Sequence, residues 1–247
     1  MTRFLTSPLL RARHGFSTRN GGVSTGRYAT LNVGGKWGDA EANVRENRRL
    51  LAADAGFDLA RLATVHQVHG RAVAFADGKN AETLAAVDAD ALVARGPGRA
   101  IGIYTADCVP ILLDDGDGRV AAAHAGWRGT VAGVAAAAVE ALVSAGADRA
   151  KLRAALGPSI GPCCFEVGDE VAARFLAWPD AIRAVDGKKP HVDLWAANRA
   201  QLIDAGLSPD RIDAAPPCTM CDGARFFSFR RDGGSIGQML SFIVAGC

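Results

Sequence analysis

The most constraining part of the sequence is the stretch Thr105–Arg128, which reads T-A-D-C-V-P-I-L-L-D-D-G-D-G-R-V-A-A-A-H-A-G-W-R. Its two apolar runs flank an Asp/Gly-rich turn, and this pattern predicts a β-hairpin. With the tip of the turn at residues 115–117, Cys108 lies opposite His124. Side chains that face each other across two strands have Cβ atoms roughly 4.5–5.5 Å apart. This spacing suits a thiolate and an imidazole that share one metal ion, or a cysteine nucleophile beside its base.

Length and composition limit the class of protein. The chain has 247 residues, 49% of them apolar, which is enough for a substantial core, and we expect one domain over residues 1–247. A formal net charge of +2 lacks the basic excess of a nucleic-acid-binding protein. Because we find neither a signal peptide nor an apolar run near the ~20 residues of a membrane span, we expect a cytoplasmic protein with reduced cysteines.

Periodicity and turn-forming residues predict the elements on either side of the hairpin. Helices are predicted over residues 40–55, 130–144, 167–176 and 193–205, with Thr130 and Asp193 as N-caps. Extended segments are predicted over residues 64–75, 89–94, 100–104, 152–156, 226–229 and 239–244. This alternation indicates a mixed α/β domain.

A third candidate ligand stands earlier in the chain. His66 and His69 occur in T-V-H-Q-V-H-G, and on a strand residues three apart point to opposite faces, which argues against a simple chelating pair. His69 with Cys108 and His124 gives three protein ligands, which leave the fourth position of zinc open, as in catalytic sites. A buried thiol and two hydrogen-bonded structural histidines explain the same residues, and spacing alone does not decide between the two.

Several further residues have two interpretations each. Asp107 either orients an imidazole or forms a turn through nearby backbone amides. Arg128 precedes the helix start predicted at Thr130, where free amides and a guanidinium can hold an oxyanion. Arg128, Arg48 and Arg19 are equally explained as surface arginines.

The cysteines and glycines exclude other classes of site. The C-x-x-C of Cys218 and Cys221 has no second pair or histidine pair close to it in the sequence, which argues against a structural zinc there. The adjacent Cys163 and Cys164 are poorly placed to bridge each other. The Gly-rich turn at 157–161 has neither the P-loop lysine nor the dinucleotide-binding fingerprint.

A series of motifs then runs in order through nearly the whole chain: H-G-F-S-T-R-N-G-G-V-S, L-N-V-G, N-V-R-E-N-R, V-H-Q-V-H-G, D-A-L-V, T-A-D-C-V-P-I-L, A-A-H-A-G-W-R-G-T, G-P-S-I-G-P-C-C-F-E-V-G and F-F-S-F-R-R-D. The series resembles the laccase-domain or polyphenol-oxidase-like family, which is described as zinc-dependent purine nucleoside phosphorylases and, in some bacteria, as peptidoglycan editing factors. The resemblance implies a single-domain, four-layer α/β/β/α sandwich with mixed sheets.

The same resemblance implies an activity and a set of site residues. His69, Cys108 and His124 correspond to the metal ligands and act in catalysis. The implied reaction is phosphorolysis of adenosine, inosine, guanosine and methylthioadenosine to base and ribose 1-phosphate, with adenosine deamination as a second activity. The implied contacts to phosphate or substrate are Arg48 in N-V-R-E-N-R, Arg128, Asn32 in L-N-V-G, and Arg19. Neither nucleic acid nor a membrane is implied as a partner, and monomer and homodimer both stay open.

One departure from the family pattern concerns the last motif. The family has Thr-Gly-Arg before the final strand, where this chain has Ile236-Gly237-Gln238. If the missing guanidinium contacts substrate or phosphate, affinity or activity is lowered here.

Three alternatives compete with the phosphorylase hypothesis. Copper-dependent polyphenol oxidation is disfavoured because five histidines are too few for a copper cluster. A cysteine- or zinc-dependent hydrolase that edits peptidoglycan precursors would use Cys108 as nucleophile, His124 as base and Asp107 or another acceptor as orienter. In a non-enzymatic zinc protein, the metal would only brace the fold.

Overall fold

The structure is a computed structural model that describes residues 2–185 and 187–246. The strands of its two large sheets, with one short pair beside them, are β1 Phe4–Leu5, β2 His14–Ser17, β3 Leu62–Ala63, β4 Val73–Phe75, β5 Ala91–Ala94, β6 Ala100–Thr105, β7 Val109–Asp114, β8 Val120–Ala125, β9 Arg153–Leu156, β10 Ile182–Arg183, β11 His191–Val192, β12 Ile212–Asp213 and β13 Met239–Val244.

The helices are α1 Glu41–Ala55, α2 Ala81–Ala85, α3 Trp127–Ala132, α4 Val134–Ser144, α5 Asp169–Ala172, α6 Leu194–Asp204 and α7 Phe229–Asp232. Short 3-10 turns cover Gly26–Tyr28, Leu59–Arg61, Arg149–Lys151, Ala173–Phe175, Pro179–Ala181 and Pro209–Arg211. In the part of the chain that the structure describes, none of the helices has the length and apolarity needed to cross a membrane.

The elements stack in four layers. One sheet has the strand order β1-β2-β13-β6-β3 and the other β12-β9-β7-β8-β5-β4. Both sheets are mixed, because β3 runs parallel to β6, β12 parallel to β9, and β4 parallel to β5, while the other pairs are antiparallel. Helix α1 packs on the outer face of the first sheet, and α4 and α6 pack on the outer face of the second. The predicted α/β/β/α sandwich is confirmed.

Alternation along the strands explains why the layers stack in this way. In β7, Ile111 and Leu113 belong to the core beneath α4 and α6, whereas Leu112 between them belongs to the core between the sheets. In β13, Ile243 faces the second sheet, and Phe242 packs on the side of α1. Each of these side chains is fully buried, which stabilises the fold by about 1.5–3 kcal/mol per residue.

The hairpin forms, but its register differs from the prediction by two residues. Pro110 pairs with His124, so Cys108 lies just before β7 and not opposite His124. The turn is longer than predicted because the Asp115 carboxylate accepts hydrogen bonds from the backbone N–H groups of Asp117 at 2.8 Å and Arg119 at 3.0 Å. A shift of two residues leaves every side chain on its predicted face.

Other predicted elements are partly confirmed. Helix α1 ends before Gly56 as predicted, and the Asp193 carboxylate caps α6 by accepting from the N–H of Ala196 at 3.0 Å. Thr130 does not cap a helix: it lies inside α3, and the left-handed Gly133, with φ 87°, separates α3 from α4. Residues 64–72 form a loop between β3 and β4. The strand predicted over residues 226–229 does not form, because residues 226–228 are irregular and α7 begins at Phe229.

Candidate active site and metal centre

Three chain segments bring the predicted metal ligands together. His69 comes from the loop between β3 and β4, Cys108 from the turn before β7, and His124 from β8. Their ligand atoms lie within 4.8 Å of one another, and the two imidazole ring centroids are 4.8 Å apart. The structure therefore forms a group of two nitrogen ligands and one sulfur ligand from the three residues.

The buried carboxylate of Asp90, one residue before β5, holds both histidines. One oxygen accepts from the backbone N–H of His69 at 2.9 Å and lies 2.8 Å from Nδ1 of His124. The other oxygen accepts from the N–H of Gly70 at 2.6 Å and of Val68 at 3.2 Å. These bonds keep His69 in its left-handed conformation, with φ 61°, and leave Nε2 of His124 free for a metal. The sequence alone did not indicate this role, although Asp90 opens the motif D-A-L-V.

Asp107 positions Cys108 from the neighbouring residue. Its backbone is left-handed, with φ 94°. Its carboxylate accepts from the Thr219 hydroxyl at 2.6 Å, the Ser228 hydroxyl at 3.1 Å and the Arg230 N–H at 2.6 Å. Asp107 therefore fastens the turn and two C-terminal loops, and Asp90 is the residue that orients an imidazole.

Gly126 closes the backbone side of the centre. A Cβ at this position would lie 3.0 Å from Sγ of Cys108 and 3.0 Å from Cδ2 of His69. Such contacts are tighter than ordinary van der Waals separations. Glycine at position 126 therefore lets β8 turn into α3 without pushing a side chain into the ligand group.

The thiol and the imidazole stabilise each other's charged forms. Burial raises the pKa of the Cys108 thiol, but the charge and hydrogen bonding of His124 and a hydrogen bond from His69 outweigh it and lower the pKa to about 6. Burial lowers the pKa of His124, whereas Cys108 and Asp90 raise it, to about 9. In the metal-free protein, the two groups therefore form a thiolate–imidazolium pair at neutral pH.

This ion pair predicts how metal binding depends on pH. A metal needs a neutral imidazole, so between pH 9 and 6 it has to displace the proton of His124. We expect the apparent affinity for Zn²⁺ to fall about tenfold per pH unit over this range, and more steeply below about pH 6, where Cys108 also has to lose a proton. Competition with a chromophoric chelator at a series of pH values measures this slope, and a flat profile between pH 7 and 9 would contradict the ion pair.

A cavity of about 860 Å³ opens onto the ligand group, within the usual volume range of small-molecule sites. Its aromatic lining consists of Trp37, Tyr104, Trp127, Phe165 and Phe229. Its basic lining consists of Lys36, Arg48, Arg128 and Arg230. Among the residues that the structure describes, Asp107 is the one carboxylate of the lining, and its oxygens are already hydrogen-bonded. The cavity is therefore suited to an anion together with a flat, apolar ring.

Two of the predicted phosphate-binding residues line this cavity. Arg48 donates through Nε to the carbonyl of Val33 at 2.8 Å, and its guanidinium lies 5.5 Å from the centre of the Tyr104 ring. Arg128 is exposed, with its guanidinium 4.2 Å from the centre of the Trp127 ring. Arg128 lies within α3 and not before a helix, because α3 begins at Trp127.

The other two predicted residues are not part of the cavity lining. Asn32 is buried; its amide donates to Asp39 at 2.9 Å and its carbonyl accepts from the N–H of Gln238 at 2.8 Å. Arg19 donates to the carbonyls of Ala29 at 2.9 Å and Gly223 at 3.0 Å. Both side chains are occupied in joining loops, so the structure does not support a direct substrate contact for either.

Comparison with known proteins places the chain in a family. The sequence profile of a family described as multi-copper polyphenol oxidoreductase laccase matches residues 13–246. The chain belongs to this family. It is 40% identical to a purine nucleoside phosphorylase of Deinococcus radiodurans over 97% of this chain and 91% of that protein. It is 41% identical to the adenosine deaminase RL5 of an unknown prokaryotic organism, over 92% of each. The crystal structure of YlmD from Geobacillus stearothermophilus superposes with a TM-score of 0.89 and 34% identity, over 99% of both chains.

Two further residues of the cavity lining, Arg230 and Gln238, belong to motifs that carry the resemblance to this family or depart from it. Arg230, in α7 and in the motif F-F-S-F-R-R-D, lines the cavity, a role that the motif alone did not predict. Gln238, at the position where the resemblance implies an arginine, also lines the cavity. Since glutamine is uncharged, position 238 contributes no positive charge to the lining.

The family description names copper, but the histidines of this chain do not form a copper cluster. All five histidines are described, and only His69 and His124 share a ligand group. Of the others, Nε2 of His14 accepts from the N–H of Ser7, His66 pairs with Asp88, and His191 bonds to the carbonyl of Pro162. The two imidazoles and one thiol of this group can hold one metal ion.

Proposed function

We propose that this protein is a zinc-dependent purine nucleoside phosphorylase that cleaves adenosine, inosine, guanosine and methylthioadenosine, with adenosine deamination as a second activity. The observation that carries the proposal is the His69–Cys108–His124 group at the wall of a cavity that has both aromatic and basic lining. The relatives named as purine nucleoside phosphorylase and adenosine deaminase support the same substrate class. We place the reaction in the cytoplasm, where reduced thiols persist.

The donor set fits Zn²⁺. Two imidazoles and one thiolate are common zinc ligands, and a carboxylate behind one imidazole, here Asp90 behind His124, is the usual support for such a ligand. When bound, the metal supplies Lewis acidity at the wall of the cavity. Three protein ligands leave room for substrate, which favours a catalytic over a purely structural role.

The residues of the chain supply the binding steps of phosphorolysis. Arg48, Arg128 and Arg230 line the cavity, and we assign phosphate binding to them and binding of the purine ring to the aromatic side chains. In the reaction, a phosphate oxygen forms a bond to C1′ of the sugar, the bond from C1′ to the base nitrogen breaks, and the base leaves with a proton. A cavity lined by aromatic rings limits water, which favours phosphate over water as the attacking group.

The test of the proposal is phosphate-dependent release of free base by purified protein of known zinc content. Adenosine, inosine, guanosine and methylthioadenosine are offered separately, and base and ribose 1-phosphate are quantified together. Equal amounts of the two products, formed only with phosphate, are expected. Absence of both products from folded, zinc-loaded protein would overturn the proposal.

The basic lining predicts a selective effect of Arg48→Ala. Loss of a charge-assisted hydrogen bond costs about 1.5–3 kcal/mol, so we expect KM for phosphate to rise about 10- to 100-fold, with a smaller change in KM for the nucleoside. Arg45→Ala is the matched control, because Arg45 lies on the same helix but is exposed and pairs with Glu41. An equal rise of both KM values in Arg48→Ala would indicate a structural role instead.

One observation favours a second candidate, a cysteine-dependent hydrolase acting on peptidoglycan precursors. Cys108, His124 and Asp90 are connected as nucleophile, base and orienting carboxylate, and the pKa of Cys108 is lowered to about 6. This hypothesis predicts covalent labelling of Cys108 by an alkylating substrate analogue and turnover that survives chelation. The phosphorylase hypothesis predicts loss of turnover on chelation and recovery on return of Zn²⁺.

A further inference from the structure

Four cysteines outside the candidate active site form a second group at the surface. They are Cys163, Cys164, Cys218 and Cys221, and their sulfur atoms all lie within 4.8 Å of one another. The spacing of the cysteines argues against a structural zinc at the C-x-x-C motif, because no second pair stands near it in the sequence. The fold supplies that pair from the loop that follows β9.

The distances between the sulfur atoms match a shared metal ion. With a Zn–S bond of about 2.3 Å, the sulfur atoms of a tetrahedral zinc site lie about 3.8 Å apart. Sγ of Cys221 lies 3.6 Å from Sγ of Cys163 and 3.3 Å from Sγ of Cys164. Small movements of surface side chains are enough to reach tetrahedral coordination.

One backbone hydrogen bond stabilises the thiolate of Cys218. The N–H of Gly161 donates to Sγ of Cys218 at 3.2 Å, a bond that favours an anionic sulfur. The guanidinium of Arg231 donates to the carbonyl of Thr219, inside the C-x-x-C loop, at 2.8 Å. Arg231, which also pairs with Asp232, therefore holds this loop in place through its backbone.

We propose that Cys163, Cys164, Cys218 and Cys221 bind one Zn²⁺ as a structural site, separate from the His69–Cys108–His124 centre. Binding displaces the thiol protons to water and forms four Zn–S bonds, without any change of oxidation state. A closed set of four sulfur ligands leaves no position for substrate, so the role of this metal is structural.

The two segments that this site joins are both part of the active-site wall. Ile160 and Phe165, on either side of the first cysteine pair, line the cavity. Thr219, between the second pair, holds Asp107 and thereby the turn that carries Cys108. The backbone of the two segments is already in contact, since the N–H of Thr219 donates to the carbonyl of Ser159 at 3.0 Å. The second zinc therefore clamps together two loops that shape the cavity.

Metal quantification on protein purified under reducing conditions tests the proposal. Wild-type protein is expected to hold about two Zn²⁺ per chain, Cys218→Ser and Cys221→Ser about one each, and His124→Ala, which disables the other centre, about one. Met220→Leu, a volume-conserving change inside the same loop, is the matched control and is expected to keep about two.

A second measurement decides the question if the cysteine variants do not fold. The His124→Ala chain is loaded with Co²⁺, and the sulfur-to-cobalt charge-transfer absorbance per bound ion is compared with that of a tetrathiolate reference. Intensity matching four thiolates is expected. The proposal would be overturned if the folded His124→Ala chain held no metal. In that case the four thiols would either react with a thiol reagent before any chelator is added or be joined as disulfides.

Discussion

Replacing Cys108 with serine is expected to remove metal from the His69–Cys108–His124 centre and to lower kcat/KM for nucleoside phosphorolysis by at least about a thousandfold. A serine hydroxyl is not ionised at neutral pH and is a poor ligand for a soft metal, so only the two imidazoles remain. Zinc content, product formation and the far-UV circular dichroism spectrum of the variant, taken together, measure this effect.

The control for Cys108→Ser is Ser144→Ala, which removes one exposed hydroxyl at the last residue of α4. It is expected to keep wild-type activity and metal content. Folded Cys108→Ser protein with wild-type zinc content but no turnover would favour a nucleophilic cysteine. Folded protein with both zinc and turnover at wild-type levels would contradict the proposed site altogether.

Asp90→Asn is expected to have the second-largest effect, because one carboxylate supports two metal ligands. Asp90 is fully buried, and its oxygens serve the backbone of the His69 loop and the ring of His124. In the variant, one oxygen becomes an NH₂ group that faces N–H donors. We expect the affinity for Zn²⁺ to fall about 10- to 100-fold and the free energy of unfolding to drop by about 2–4 kcal/mol.

The chain contains a matched control for this change. Asp88 lies two residues earlier, is exposed, and pairs with the exposed His66. Asp88→Asn is expected to change the free energy of unfolding by less than about 0.5 kcal/mol and to leave metal affinity as it was. Chelator competition and urea unfolding of the two variants side by side check both numbers. Equal behaviour of the two variants would show that Asp90 does not organise the centre.

The layers and the long elements could be predicted from the sequence because they depend on local patterns. Helix α1, the Asp193 cap and strand β13 follow from periodicity and capping residues in a single segment. The hairpin could be predicted for the same reason, but its register depends on the number of residues in the turn. The hydrogen bonds of the Asp115 carboxylate set that number, and the pattern of apolar residues does not show them.

The loop that carries His69 could not be predicted, because its conformation is imposed from a distance. Residues 64–69 have the composition of a strand, yet the backbone leaves the sheet to donate its N–H groups to Asp90, about twenty residues later. The positive φ of His69 and of Asp107 each depends on such tertiary bonds. Local propensity carries no information on partners of this kind.

The two ligand groups differ in how far the sequence revealed them. Cys108 and His124 stand on the two sides of one hairpin, so their proximity was visible from spacing. Cys163 and Cys164 lie more than fifty residues before their partners, and the contact arises only because the loop after β9 runs beside the loop after β12. A motif search confined to neighbouring residues could not find that group.

The position of β13 determines when this protein is able to fold during its synthesis. Strand β13, the last in chain order, lies in the middle of its sheet, between β2 and β6. Until it has left the ribosome, β2 and β6 have no shared neighbour, and their backbone edges stay open to other chains. Completion of this sheet is therefore expected to wait for the synthesis of β13, although the four other strands of the sheet precede it in the chain.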